Sequence, residues 1–172
     1  PQLTVTTRFG AAGIVVSPKA WSIVTGKASL AGGGDASDPP EAAEGPAQLR
    51  GAIVALGNFD GFHLGHQRVV ADAVAWARAE GRPAIVATFD PHPVRHFAPH
   101  VPPFRLTTLD QRQELFAAAG AGAMLVFAFD AELAGMPAEA FVSELLAARI
   151  GAAGVVTGQD FTFGRGRGGS TA

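Results

Sequence analysis

The fold of this chain is decided at residues 52–66, which read AIVALGNFDGFHLGH. The opening AIVAL is a continuous apolar run of strand length, and Gly57 ends it. A run without polar alternation is typical of a strand that is buried on both faces, as in a parallel sheet covered by helices. Apolar side chains then recur at helical spacing over residues 64–80, so the stretch predicts a strand, a glycine-rich turn and a helix.

The same strand-then-helix pattern continues along the chain. Further buried strands are predicted at residues 84–89, 124–129 and 154–158, and further helices at residues 108–119 and 137–150. Thr108 and Asp110 are both N-cap candidates, and Pro137 opens the last helix. The alternation predicts an α/β fold with a parallel sheet and helices on both faces, in which ligands bind at the carboxyl ends of the strands.

Composition narrows the class of protein. At 172 residues, with 48% hydrophobic residues, the chain suits one domain with a sizeable core. A net charge of −2 gives no electrostatic reason to expect nucleic acid or an anionic membrane as partner, and no apolar stretch reaches membrane-spanning length. The absence of cysteine excludes a disulfide scaffold and a cysteine nucleophile and fits a cytoplasmic protein.

The first part of the chain has a different character. Residues 32–46 have the Gly- and Pro-rich composition of a linker. Before them, two apolar patches at residues 13–16 and 21–24 form either a hairpin or a poorly ordered extension. We therefore expect residues 1–48 to be an extension or linker and residues 49–172 to be the functional domain.

The turn after the first strand has the chemistry of a phosphate site. His63 and His66 are three residues apart at the start of the predicted helix, so both side chains can project from one face. A helix N-terminus offers unpaired N–H donors and the positive end of the helix dipole, and two imidazoles can stabilise charge on phosphate oxygens. Gly57, Gly61 and Gly65 let the backbone approach a ligand. The alternative is a structural turn with an exposed histidine pair or a weak metal site.

Two later loops carry aromatic and cationic groups. Residues 90–93 read DPHP after the second strand, and with Phe97 they form a stiff apolar rim that suits a planar ligand, or else a crossover whose Phe97 belongs to the core. Residues 158–169 read GQDFTFGRGRGG, without the lysine of a Walker A loop. This glycine-rich segment is either a mobile cationic cover for phosphates or a disordered surface loop. The intervening prolines argue against a zinc site at His92, His96 and His100.

The motif G-N-F-D-G-x-H-x-G-H-Q at residues 57–67 resembles the nucleotide-binding motif of the bacterial bifunctional riboflavin kinase/FAD synthetases, whose FMN adenylyltransferase module belongs to the H-x-G-H nucleotidyltransferases. Residues 88–97, 106–112 and 158–169 resemble further segments of this family in the same order. The resemblance covers about residues 49–171 and implies a Rossmann-like nucleotidyltransferase sheet. It implies that the domain is incomplete at the C-terminus, because an I-S-S-T-x-I-R motif and a riboflavin kinase domain would follow Ala172.

The resemblance also implies a reaction, ATP + FMN → FAD + pyrophosphate, with Mg²⁺ carried by the nucleotide and no assigned metal ligand. The residues implied are His63 and His66 for catalysis, Gly57, Asn58, Phe59, Asp60 and Gly65 for ATP, and Pro91, Pro93, Phe97, Asp160 and Phe163 for the flavin. The FMN phosphate is already ionised at neutral pH, so this reaction needs no general base. Alternatives are another H-x-G-H transferase, of the pantetheine-phosphate adenylyltransferase or cytidylyltransferase type, and a nucleotide- or flavin-binding fragment without turnover.

Overall fold

The computed structural model describes residues 7–8, 21–25, 28–30, 50–98, 100, 102 and 105–170. One sheet contains the strands β1 Thr7–Arg8, β2 Trp21–Thr25, β3 Ala28–Leu30, β4 Ile53–Leu56, β5 Ala84–Asp90, β6 Ala123–Ala128 and β7 Gly154–Thr157. A separate hairpin is formed by β8 Thr162–Phe163 and β9 Gly169–Ser170.

The helices are α1 Leu64–Ala79, α2 Pro93–Phe97, α3 Leu109–Ala118, α4 Ala131–Gly135 and α5 Ala138–Ala140. Helix α5 runs on as π-helical turns over Phe141–Arg149, and a 3₁₀ turn covers Arg165–Arg167 between β8 and β9. The predicted long helices and buried strands are confirmed within a residue or two of their bounds, whereas the short α2, α4, β8 and β9 were not predicted. In the part of the chain described, no helix is long and apolar enough to cross a bilayer.

The centre of the sheet is parallel, as the sequence predicts. The strand order is β1-β7-β4-β5-β6-β2-β3, and β4 pairs in parallel with both β5 and β7. Ile53 of β4 lies opposite Ala84 of β5 on one side and Gly154 of β7 on the other. The carboxyl ends of these strands therefore meet at one edge, where the chemically suggestive loops emerge.

Helices cover both faces of this parallel centre. Alternate residues of β4 face opposite ways, so Ile53 packs in the cluster that contains α1 and α3, whereas Val54 packs in the cluster that contains the π-helical turns. On α1 the buried residues include Val70, Ala73, Val74 and Ala77, which is the helical spacing seen in the sequence. The α/β prediction with helices on both faces is thus confirmed.

The ends of the helices refine two predictions. Thr108, not Asp110, is the N-cap of α3, because its hydroxyl accepts from the Gln111 backbone N–H while the Gln111 side chain bonds the Thr108 N–H, a full capping box. Pro137 is the N-cap residue before α5. The helix that it opens is π-helical over most of its length, which apolar periodicity did not reveal.

The first part of the chain contributes strands at both ends of the sheet. β2 and β3 form an antiparallel hairpin, and β2 also pairs antiparallel with β6, placing Ile23 opposite Leu125. The patch at residues 21–24 thus lies in β2, which pairs with β3 and β6. The apolar patch at residues 13–16 lies outside the described residues.

Candidate active site

The residues singled out in the sequence follow β4, β5 and β7, three of the four parallel strands β4, β5, β6 and β7. Because these four strands are parallel neighbours, the loops that follow them gather at a single edge of the sheet. The loop after β4 carries the histidine pair, the loop after β5 carries the proline-rich segment, and the loop after β7 carries the glycine-rich segment. The fold thereby brings separate sequence motifs together.

The turn after β4 is held by a buried aromatic ring. Phe59 is 2% exposed and packs edge-on against His66 and Phe116, with ring centroids 5.3 and 5.7 Å away. A Cβ on Gly57 would lie 3.1 Å from the Phe59 ring, so the absence of a side chain at residue 57 leaves room for the ring. Phe59 and Phe62 both have positive φ, at 49° and 38°, which is strained backbone for aromatic residues. The Phe59 side chain is thus an internal anchor of the turn and is not exposed to a ligand.

Asp60 also points into the protein. Its Oδ1 accepts hydrogen bonds from the Thr107 backbone N–H and hydroxyl, both at 2.9 Å, and from the Arg112 guanidinium at 2.8 Å. Burial alone would raise the pKa of Asp60, but the hydrogen bonds from Leu106, Thr107 and Arg112 outweigh it and lower the pKa to about 2. The carboxylate predicted to bind ATP is therefore engaged within the protein, where it ties the turn after β4 to the segment before α3.

The two histidines stack at the start of α1. Their ring centroids are 3.6 Å apart, and the Nδ1 of His63 accepts from the His66 backbone N–H at 3.4 Å, which makes His63 the N-cap. The Gly65 backbone lies against this stack, because a Cβ on Gly65 would lie 3.1 Å from the His63 ring. Burial, followed by the neighbouring His63, lowers the pKa of His66 to about 4, so His66 is neutral at pH 7.

Two polar atoms of this turn lack a hydrogen-bond partner among the described residues. They are the Nδ1 of His66 and the Oδ1 of Asn58, and both are buried. A buried polar atom without a partner costs free energy, so a ligand that hydrogen-bonds it is bound more tightly. These two atoms therefore identify the inner side of the turn as a place for a polar ligand.

A cleft of about 710 Å³ opens beside Asn58. Of the predicted flavin residues, Pro93, Phe97, Asp160 and Phe163 line it, whereas Pro91 does not. His63, His66 and Gly65 also lie outside this lining. The volume is that of a small-molecule site, and most of the lining is apolar, which suits a planar aromatic ring.

Aromatic side chains support both sides of the cleft. Phe97, which is 65% exposed, packs on Phe129 at 5.8 Å, and Phe163 packs on Phe141 at 5.5 Å. Phe129, Phe141 and Phe161 line the cleft and were not singled out in the sequence. Phe129 directly follows β6, which was the available signal, whereas the direction of Phe141 on its helix depends on the packing of that helix.

The glycine-rich segment is neither of the loops expected from the sequence. It is a hairpin of β8 and β9 whose turn docks on the start of α5, with the Arg165 N–H donating to the Met136 carbonyl at 2.7 Å. A Cβ on Gly164 would lie 2.5 Å from the Cα of Ala138, so only glycine permits this contact. The docked hairpin contributes Arg167, a cationic side chain, to the lining of the cleft.

No metal centre stands out in the described ranges. Within them there is no group of three or more His, Cys, Asp or Glu side chains close enough together to hold an ion. The spaced histidines His92, His96 and His100 thus do not form a cluster. The Nδ1 of His92 instead accepts from the Val94 N–H at 3.2 Å and caps α2, while burial lowers its pKa.

A parallel α/β sheet with a paired-histidine turn at a helix N-terminus, beside an aromatic cleft, defines a nucleotide-binding domain of the Rossmann type. Residues 45–172 match the FAD synthetase family, and the chain belongs to this family.

Known relatives show the same assignment. The chain is 34% identical over 121 residues to the bifunctional riboflavin kinase/FMN adenylyltransferase of Escherichia coli K12, a match that covers 70% of this chain and 39% of that protein. It is 40% identical over 124 residues to a putative bifunctional riboflavin kinase/FMN adenylyltransferase of Geobacillus thermodenitrificans, covering 72% and 66%. Thus the chain spans about two fifths of the E. coli protein.

A solved structure shares the fold. The crystal structure titled macrolide-efflux protein from Streptococcus pneumoniae superposes with a TM-score of 0.62 at 28% identity. The match covers 67% of this chain and 45% of that one.

Proposed function

We propose that residues 49–172 transfer the adenylyl group of ATP to FMN, giving FAD and pyrophosphate. The observation that carries the proposal is the position of Asn58, which belongs to the histidine turn and also lines the aromatic cleft. A nucleotide on the turn and a flavin in the cleft would therefore meet at this residue. Membership in the FAD synthetase family and the names of the relatives support the same reaction.

The nucleotide side of the proposed site is the N-terminus of α1. Because the Nδ1 of His63 accepts a hydrogen bond, the ring carries its proton on Nε2, which becomes a donor for phosphate oxygens. His66, neutral at pH 7, and the amide of Asn58 supply further polar contacts, with Gly57, Gly65 and the backbone of Phe59 and Asp60 shaping the turn. Mg²⁺ would arrive with the ATP phosphates, whose charge it neutralises.

The flavin side is the cleft. The planar ring would lie between Phe97, backed by Phe129, and Phe163, backed by Phe141. Pro93 stiffens the first wall at the start of α2, and Asp160, which also lines the cleft, offers a polar contact. Arg167 provides a positive charge in the same lining, which suits the FMN phosphate.

The chemistry requires positioning more than acid–base catalysis. The FMN phosphate attacks the α-phosphorus of ATP, the new P–O bond forms, and the bond to the leaving pyrophosphate breaks. Catalysis then comes from holding the two phosphates in line and from donors that stabilise the charge on the transferring and leaving groups. We assign the donor role to His63 and His66.

The wider setting of the reaction is also a proposal. The relatives are named as bifunctional proteins, so we propose that a riboflavin kinase domain acts with this domain and supplies its FMN. We place the reaction in the cytoplasm, where ATP and Mg²⁺ are supplied.

The test is to incubate the chain with ATP, Mg²⁺ and FMN and to measure FAD by chromatography. His66→Ala should lower the rate on the order of 10²-fold, as the loss of one charge-stabilising donor does. Arg68→Ala is the matched control, because Arg68 lies on the same helix but is exposed and pairs with Asp72 in α1. Binding of both ligands without any FAD would instead indicate a binding module, and stabilisation by phosphopantetheine rather than FMN would indicate another transferase.

A further inference from the structure

The buried residue Arg112 joins three separate segments at the base of the histidine turn. It is 2% exposed, although an arginine side chain is rarely buried unless its charge is paired. Its Nε donates to the Thr107 hydroxyl at 3.1 Å, one terminal nitrogen to the Asn58 carbonyl at 3.2 Å, and the other to Asp60 at 2.8 Å. Arg112 lies on α3, so one side chain connects α3, the segment before it and the turn after β4.

The Thr107 hydroxyl completes this network. It donates to Asp60 at 2.9 Å and accepts from the Gly61 backbone N–H and from the Nε of Arg112, both at 3.1 Å. A hydroxyl has one proton to donate and two lone pairs, so its hydrogen-bonding capacity is fully used. A fully satisfied buried network permits one arrangement of its members and rigidifies what it holds.

The network also fixes the orientation of Asn58. The Asn58 carbonyl accepts from the Thr88 hydroxyl at 2.7 Å as well as from Arg112. With this carbonyl turned inward, the backbone of residue 58 is held in place, and its side-chain oxygen remains without a partner among the described residues. Arg112 itself does not line the cleft, so it can act on a ligand only through residues such as Asn58.

We propose that Arg112 is a positioning residue for the nucleotide: with Asp60 and Thr107 it sets the turn after β4 so that Asn58 and the two histidines meet the ATP phosphates. This inference rests on the proposed function. It assigns Asp60 to the support of the turn rather than to contact with ATP. It also makes ATP binding depend on Arg112 more strongly than FMN binding, because Arg112 does not bond the segments that carry Phe97 and Phe163, and Asn58 is the part of the cleft lining that it holds.

The experiment compares ATP and FMN binding in variants of this network. In Arg112→Gln the ATP dissociation constant, measured by calorimetry, should rise at least about tenfold, the equivalent of one lost charge-assisted hydrogen bond. The FMN dissociation constant, measured by flavin fluorescence, should rise by a smaller factor, because Asn58 is one of many residues that line the cleft. Arg149→Gln is the control, because Arg149 is also buried, at 5% exposure, but lies in the π-helical turns on the opposite face of the sheet.

A double variant separates positioning from stability. Arg112→Gln with Asp60→Asn leaves no buried charge unpaired, so its melting temperature should recover relative to either single variant. Its ATP affinity should stay low, because the amides do not restore the bonds to Thr107 and Asn58. Should a single variant fail to fold, Thr107→Val keeps both charges and removes only the shared hydroxyl, and it should show the same selective loss of ATP binding.

Three results would overturn the inference. In the first, ATP affinity recovers together with the melting temperature in the double variant, which would make the network purely stabilising. In the second, ATP and FMN affinities fall equally, and in the third, ATP affinity does not change. A wild-type chain that binds FMN but no ATP would instead overturn the proposed function, and this inference with it.

Discussion

Replacing Gly164 by alanine is expected to detach one wall of the cleft while leaving the core folded. Gly164 has φ 75° and ψ 170°, a backbone region open essentially to glycine alone, and a non-glycine residue there costs about 1–3 kcal/mol. The added methyl would also lie 2.5 Å from the Ala138 Cα and 2.6 Å from its N. Relief of such a backbone overlap adds about 1–3 kcal/mol. The docked hairpin should therefore lose about 2–6 kcal/mol, the sum of the two costs.

The contacts that dock the hairpin are of the same size. They include one hydrogen bond, from Arg165 to Met136, which contributes about 0.5–1.5 kcal/mol, and the packing of Phe163 on Phe141, which contributes about as much. The alanine variant should hence populate the undocked hairpin heavily. Since a ligand binds in proportion to the competent fraction, the apparent FMN affinity should fall at least about tenfold.

Flavin fluorescence titration measures this effect, and circular dichroism checks that the sheet still melts cooperatively. Gly168→Ala is the matched control in the same turn, because Gly168 has an ordinary φ of −70° and a Cβ there would make only a 3.4 Å contact. That variant should bind FMN like the wild type. Wild-type FMN affinity in Gly164→Ala would refute both the steric argument and the hairpin as a wall of the flavin site.

Three further predictions concern other parts of the molecule. Because burial lowers the pKa of His66 from 6.5 to about 4, the unfolded chain binds a proton in this window that the folded chain does not. Stability to urea should thus fall as the pH falls from 6.5 towards 4, and His66→Gln should flatten that loss. His96→Gln, at an exposed site, is the control and should leave the loss unchanged, so equal slopes in the two variants would contradict the assignment. Gly154→Ala would drive a methyl into the Trp76 ring and should lower the free energy of unfolding in urea by about 1–3 kcal/mol. Adding Trp76→Leu should recover part of that stability, whereas additive losses would show that the ring is not the obstacle. Phe97→Ala should weaken FMN quenching with little change in melting temperature, since Phe97 is 65% exposed, and an unchanged titration would place the flavin elsewhere.

Much of the local structure was predictable because it depends on neighbours in the sequence. The apolar run of β4 and the spacing of Val70, Ala73 and Val74 on α1 identify their elements without reference to the rest of the chain. The capping box at Thr108 is equally local, since its two members are three residues apart. The π-helical turns at Phe141–Arg149 were not predictable, because an α-helix and a π-helix present similar apolar runs.

The candidate site was predictable only in part. The histidine turn, Phe97 and Phe163 were found because motifs and aromatic side chains are visible in the sequence. The walls behind them were not, because whether Phe141 faces the cleft depends on how its helix packs on the sheet. The role of each residue in binding remains a prediction.

The sequence by itself determined the order of strands and helices and the membership in a family, and it predicted a phosphate site at the turn of His63 and His66. Only the tertiary structure decided that Asp60 turns inward to Arg112, 52 positions along the chain, and that Gly164 meets Ala138. The physical reason is that periodicity and capping are set by side chains a few residues apart, within one turn or pleat. Contacts across many residues form only when the parallel strands bring their carboxyl ends to the same edge, and the direction of each loop there is settled by which buried groups it can satisfy.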